Sequence, residues 1–252
     1  MTPPEAPLLD VRGLRRSFGG LLAINEVTMA LHAGVVTALV GPNGAGKTTL
    51  FNLITGYLAP DGGEVRWKGR PLAGLPHWAI ARLGIARTFQ DLRLFTHMSV
   101  EDNVLTVMER NSWLWQPGGG SAKRARGRRT AAILEATGLA DRARTRAIDL
   151  AYAERKFLSL ARIMATDAEL WLLDEPASGL DLPSYGRFLE LVRGKAREGI
   201  TVCIIEHNLE IVQRISDRIL FLDQGRVIAN GEPKAILADP HLASLYFGDQ
   251  PA

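Results

Sequence analysis

No feature restricts the folding of this chain more than LVGPNGAGKTTL, residues 39–50. An apolar run (Val35, Val36, Ala38, Leu39 and Val40) gives way to three glycines, a proline and a lone lysine, and the hydroxyls of Thr48 and Thr49 follow at once. Glycine weakens any helix or strand it enters, so Gly41, Gly44 and Gly46 need a compensating reason. Gly41-Pro42-Asn43-Gly44-Ala45-Gly46-Lys47-Thr48 fits G-x-x-x-x-G-K-[ST] and lies between an expected strand and an expected helix, as a phosphate-binding loop requires. Phosphates carry several negative charges and need many short donors together. Glycines let the backbone curl until successive N–H groups point inward, and the next helix adds its N-terminal dipole. In this pattern Lys47 reaches the β- and γ-phosphates and Thr48 offers its hydroxyl to Mg²⁺. A bound nucleoside triphosphate explains the glycines.

A second motif completes the chemistry. ELWLLDEP, residues 169–176, is an apolar strand ending in two acids. At the C-terminal end of a parallel strand, side chains project into the ligand crevice. Asp174 there can hold Mg²⁺ opposite the phosphate loop, and Glu175 can polarise an attacking water. Taken alone, the two acids also read as helix-capping residues after a strand; beside the phosphate loop the metal and water roles are the expectation.

The surrounding pattern is that of an α/β protein. β-like runs (LLDVRGL, VTMAL, VVTALV, EVRWKG) precede helical signals at 47–55, 77–82, 99–109 and 130–137, the third opened by Ser99 with Asp102 three residues on. Beyond residue 150, helices at 153–165, 183–197 and 208–214 each precede an apolar strand, ELWLL, TVCII and RILFL. That alternation predicts a largely parallel sheet covered on both faces. Residues 1–7, with three prolines, read as a loose arm.

Composition bounds the function classes. A net charge of +3 over 252 residues gives no reason to expect nucleic acid as a partner. One cysteine, Cys203, excludes an internal disulfide framework. No apolar run approaches the roughly 18 residues of a membrane span, and no signal peptide is visible, so a soluble chain that docks on a membrane protein is expected. NSWLWQPGGGSAKRARGRR, residues 111–129, stands apart, with five basic residues in its last seven positions. It reads either as a contact for phospholipid or nucleic acid or as an exposed, solvated loop.

Together with SGLD (178–181) and IIEHN (204–208), these motifs resemble the ATP-binding cassette, the ATPase subunit of ABC transporters, over about residues 8–247. The resemblance implies a P-loop core, a RecA-like parallel sheet with helices plus an antiparallel β-subdomain, into which a helical subdomain is inserted. On that basis 8–90 and 159–247 form the nucleotide-binding core and 91–158 the helical, signature-bearing subdomain. It implies ATP and Mg²⁺ as ligands, with Gly41 through Thr49 lining the nucleotide. Phe18 matches the aromatic that stacks on adenine. Gln90, in GIARTFQDLRLF, matches the glutamine that touches Mg²⁺ and reports to the transmembrane partner. Asp181 matches the aspartate that communicates across a cassette dimer, and His207 the histidine that contacts the γ-phosphate.

SFGGLLAINEVTM, ARTFQDLRLFTHMSVEDNVL and IANGEPKAILADPHLASLYFG narrow the resemblance to the ATPase subunits of branched-chain amino-acid importers, whose relatives carry urea, amides or other small polar solutes. Partners implied are a second ATPase subunit, two permease subunits and, indirectly, a solute-binding protein, with the chain held at the cytoplasmic face of the inner membrane. One position departs from the pattern. The signature often written L-A-Y-G-[EQ] is here Leu150-Ala151-Tyr152-Ala153-Glu154, with Ala153 in place of glycine. In the family this helix start faces the γ-phosphate of the opposite subunit. A methyl forced into such a contact costs about 1–3 kcal/mol, unless a small helix shift absorbs it. Two other readings use the same motifs: a regulatory cassette with little hydrolysis, and a soluble ABC ATPase outside transport.

Overall fold

The computed structural model describes residues 6–108, 119–240 and 242, which fall into two compact units. The first comprises residues up to Arg87, Glu169–Glu175, and residues from Arg193 on; the second comprises Thr88–Ala168 and Pro176–Val192.

The first unit holds two sheets. β1 (Leu9–Phe18), β2 (Leu21–Leu31), β4 (Gly62–Trp67) and β5 (Arg70–Pro71) form an antiparallel sheet in the order β2-β1-β4-β5. β3 (Val36–Val40), β6 (Ile85–Arg87), β7 (Leu170–Asp174), β8 (Thr201–Ile205), β9 (Arg218–Asp223) and β10 (Arg226–Gly231) form the other, ordered β10-β9-β3-β8-β7-β6. All its pairings are parallel except β9 with the edge strand β10. β3, β7 and β8 are buried at every position, as expected of strands covered on both faces. β1 alternates instead, burying Leu9, Val11 and Leu14. One core joins these side chains to Leu39, Leu172, Ile205 and Leu220 of the parallel sheet and to Leu50, Phe51 and Ile54 of α1 (Lys47–Ile54). α2 (His77–Arg82), α7 (Leu209–Ile215) and α8 (Pro233–Leu237) complete the unit.

Register explains why motifs far apart in the chain meet. Leu39 of β3 pairs with Ile205 of β8, and Ile205 with Asp174 of β7. The C-terminal ends of three strands are therefore level; Gly41 and Glu175 follow β3 and β7 directly, and His207 comes two residues after β8.

The second unit is helical: α3 (Val100–Met108), α4 (Gly119–Thr137), α5 (Tyr152–Ala165) and the opening part of α6 (Leu182–Arg197). Ser99 and Asp102 cap α3 reciprocally, with Ser99 Oγ accepting from Asp102 N at 3.0 Å and donating to Asp102 Oδ2 at 2.6 Å. This unit runs past residue 158, the boundary expected from sequence, to Ala168 and takes in Pro176–Val192. The cause is packing: α5 buries Phe157, Leu158, Leu160 and Ala161, and Phe157 meets Phe188 of α6 with ring centroids 6.0 Å apart.

The loop expected over 111–129 is corrected in part. Residues 111–118 lie outside the described residues, but from Gly119 on the chain is the first half of α4. Ala, Lys and Arg favour helix. Thr130, Ile133, Leu134 and Thr137, spaced three and four apart, bury one face, and Arg129 ties the helix to Asp167 at 3.0 Å.

Candidate functional site

Two of the three loop glycines are demanded by packing. A Cβ at Gly41 would lie 1.9 Å from Leu222 O of β9, and one at Gly46 would lie 2.5 Å from Ala23 O of β2. A Cβ at Gly44 would meet nothing within 4 Å, so only the positive φ of 82° favours glycine there. The loop is thus wedged between two strands and turns its tip, Asn43 and Gly44, to solvent. Gly46, with φ 104°, caps α1, whose own first turn holds no acidic residue.

Lys47 is buried, and its Nζ donates to Gly41 O at 2.7 Å and Pro42 O at 2.8 Å. Burial lowers its pKa, while the charges of Glu175 and Asp174 raise it. Thr48 Oγ1 lies 3.5 Å from Asp174 Oδ1. Burial raises the pKa of the Asp174 carboxyl; the Arg87 charge and hydrogen bond and the Thr48 hydroxyl oppose this, and the Glu175 charge adds to it. Glu175 turns sharply off β7 with φ 45°, its N–H donating to Ile205 O at 3.1 Å. Its Oε1 lies 2.7 Å from His207 Nε2. Asn208, the next residue, caps α7 by accepting from Glu210 N and Ile211 N, which fixes the backbone beside His207.

This donor set fits a hard cation that arrives with phosphates. It offers one hydroxyl and one carboxylate, and among the described residues no group of three or more His, Cys, Asp or Glu side chains could hold a metal by itself. Mg²⁺ usually takes one or two carboxylates and fills its shell with phosphate oxygens and water.

Phe18 closes the β1–β2 hairpin, half-exposed, beside exposed Leu21 and Leu22. The Arg16 guanidinium covers its ring at 4.9 Å, and Asp61 and Ala59 O hold that guanidinium in turn. β2 also supplies Ala23, whose carbonyl abuts Gly46.

The remaining candidates lie in the second unit. Gln90 is exposed there. Asp181 caps α6, its Oδ1 accepting from Ser184 N at 2.9 Å, and the Ser184 hydrogen bonds lower its pKa. Leu150 is buried, and Ala151 precedes α5, its N–H donating to Glu154 Oε2 at 2.8 Å. Tyr152 donates to Ser178 O at 3.3 Å and packs on Gly179. Ala153 is the second residue of α5 and is absent from the residues of positive φ. Its backbone conformation is therefore one that alanine adopts freely.

Arg87 was not anticipated from sequence. It lies on a three-residue edge strand, and its guanidinium is buried against Asp174 at 3.1 Å and Asn52 at 2.6 Å. An arginine closing an apolar run three residues before Gln90 was the available signal.

Comparison with known proteins decides the family. The ABC transporter family model matches residues 24–178, more than half of the chain. The chain belongs to the ABC transporter family. It is 40% identical over 251 residues to the high-affinity branched-chain amino acid transport ATP-binding protein LivG of Salmonella typhimurium, covering 96% of this chain and 98% of that one. It is 38% identical over 252 residues to the corresponding protein BraF of Pseudomonas aeruginosa, with the same coverage. Among solved structures it resembles the ADP conformation of an ATP-binding cassette of an ABC transporter, with TM-score 0.84, 28% identity, and coverage of 97% and 100%. Among its described residues, this ABC family member has no helix long and apolar enough to cross a membrane.

Proposed function

We propose that this chain is the ATP-hydrolysing subunit of an importer for branched-chain amino acids or a related small polar solute. The observation that carries the reading is the shared sheet edge: the level ends of β3, β7 and β8 bring Lys47, Thr48, Asp174, Glu175 and His207 together. The relatives named for branched-chain amino acid transport supply the solute class. The first unit is the nucleotide-binding core and the second the helical, signature-bearing subdomain, within one ATP-binding domain spanning 8–247.

Gly41 through Thr49 bind the phosphates through backbone N–H groups and the start of α1. Lys47 exchanges its two carbonyl acceptors for phosphate oxygens. Thr48 and Asp174, with Gln90 as a further ligand, would hold Mg²⁺, which would supply positive charge beside the phosphates. Phe18 stacks on the adenine. Glu175 positions the attacking water and takes its proton as the oxygen bonds to the γ-phosphorus and the bond to ADP breaks. His207 holds the Glu175 carboxylate and reaches the γ-phosphate. Leu150 to Glu154 serve the ATP of a second cassette, and Asp181 couples the two. Two permease subunits hold the pair at the cytoplasmic face of the membrane, and a solute-binding protein delivers the cargo.

Purifying the tagged chain from membranes tests this. Recovery with two permease subunits and a second cassette, and ATP-driven leucine uptake by that complex in proteoliposomes, is the expected result. Recovery without a membrane partner, or uptake that ignores ATP, overturns it.

A further inference from the structure

Arg87 reaches two arms of the site at once. Its NH1 donates to Asn52 Oδ1 at 2.6 Å in the second half of α1, and lies 3.4 Å from Thr55 Oγ1 just beyond that helix. Its NH2 donates to Asp174 Oδ2 at 3.1 Å. The guanidinium also sits over the Phe51 ring at 5.5 Å, and the pair is almost sealed from water, with 4% of the Arg87 side chain and 1% of the Asp174 side chain exposed. The two oxygens of Asp174 are thereby divided. Oδ2 is taken by Arg87, and Oδ1 faces the hydroxyl of Thr48. Thr48 stands at the start of the helix whose second half Arg87 grips.

We infer that Arg87 is a positioning residue for the divalent cation. It clasps α1 to β7, sets the spacing of Thr48 and Asp174, and keeps one carboxylate oxygen turned toward the metal. A planar fork suits this task, because a guanidinium bonds two acceptors in fixed directions while an ammonium is a point charge. Hydrogen-bonding partners of metal-ligating carboxylates typically change metal affinity by about 10–100-fold when removed. The inference rests on the reading that Thr48 and Asp174 hold Mg²⁺ alongside the nucleotide.

The test uses the full-length chain, a fluorescent ATP analogue and a Mg²⁺ titration, and reads two quantities. One is nucleotide affinity in EDTA; the other is the Mg²⁺ concentration giving half of the metal-dependent tightening. Arg87→Met should raise the second by about 10–100-fold and leave the first within about twofold. Arg87→Lys, which keeps the charge but not the fork, should fall between Arg87→Met and wild type, and it decides the matter if Arg87→Met does not fold. Asp174→Asn is the control for the underlying reading. If it leaves the Mg²⁺ requirement unchanged, Asp174 does not hold the metal and both readings fail. If Asp174→Asn raises the requirement but the Arg87 variants do not, or tighten it, the positioning role alone is overturned. Equal loss of affinity with and without Mg²⁺ would reduce Arg87 to a structural support and also overturn it.

Discussion

Substituting alanine for each of two loop glycines separates what packing demands of the phosphate loop from what a nucleotide demands. At Gly41 the new Cβ would stand 1.9 Å from Leu222 O, against an ordinary carbon–oxygen contact above 3 Å, so the loop must move by more than 1 Å. Overpacking of this kind costs about 1–3 kcal/mol, and a side chain at positive φ adds about 1–2 kcal/mol. The sum, roughly 2–5 kcal/mol, is a large part of a typical stability of about 5–15 kcal/mol. At Gly44 only the φ of 82° counts, since nothing lies within 4 Å. That is about 1–2 kcal/mol. With about 2–4 °C of Tm per kcal/mol for a protein of this size, Gly41→Ala should melt roughly 4–20 °C lower and Gly44→Ala roughly 2–8 °C lower. Differential scanning fluorimetry without nucleotide reads the first quantity, and fluorescent ATP binding reads the second. Gly44→Ala should remain folded and bind ATP more weakly. If both variants melt together, the wedge between β9 and β2 does not govern the loop.

Two further outcomes follow from single contacts. Asp61 Oδ2 accepts from Ser17 Oγ and N, both at 2.7 Å, and these bonds, with the Arg16 charge, hold its pKa below the usual value. A depressed carboxylate pKa contributes stability above the unfolded value that is lost as pH falls through the folded one. The Tm advantage of wild type over Asp61→Asn should therefore be present at neutral pH and vanish below the carboxylate range; a gap that persists in acid contradicts this. Ala153→Gly should lower Tm by no more than about 2–4 °C, since glycine near a helix start loses up to about 1 kcal/mol, and should raise turnover of the assembled complex. An unchanged rate means the methyl meets nothing in the closed pair.

Much of the fold was legible because parallel strands buried on both faces leave continuous apolar runs: VVTALV, ELWLL and TVCII are β3, β7 and β8 with little adjustment. The phosphate loop was legible for the same reason, glycines and a lysine standing out directly after such a run. β6 and β10 were not. β6 has three residues, too few for any period, and β10, an edge strand, is exposed or half-buried throughout. Arg87 went unseen with β6, because its partner Asp174 is 87 residues away and only the parallel pairing of Arg87 with Leu172 brings them together. α4 was read short because its first half carries glycines and arginines and no apolar stripe. The extent of the second unit depends on Phe157 meeting Phe188, a contact that neither segment announces.

Glu175→Gln in the purified complex isolates the role of the carboxylate in hydrolysis. Glu175 lies 2.7 Å from His207 at the sheet edge shared with Asp174, and a positioned general base contributes about 10²–10⁴-fold to rate. ATP affinity should stay within about twofold of wild type, and steady-state hydrolysis should slow by about 10²–10⁴-fold. Hydrolysis at the wild-type rate, with ATP bound normally, would contradict that role.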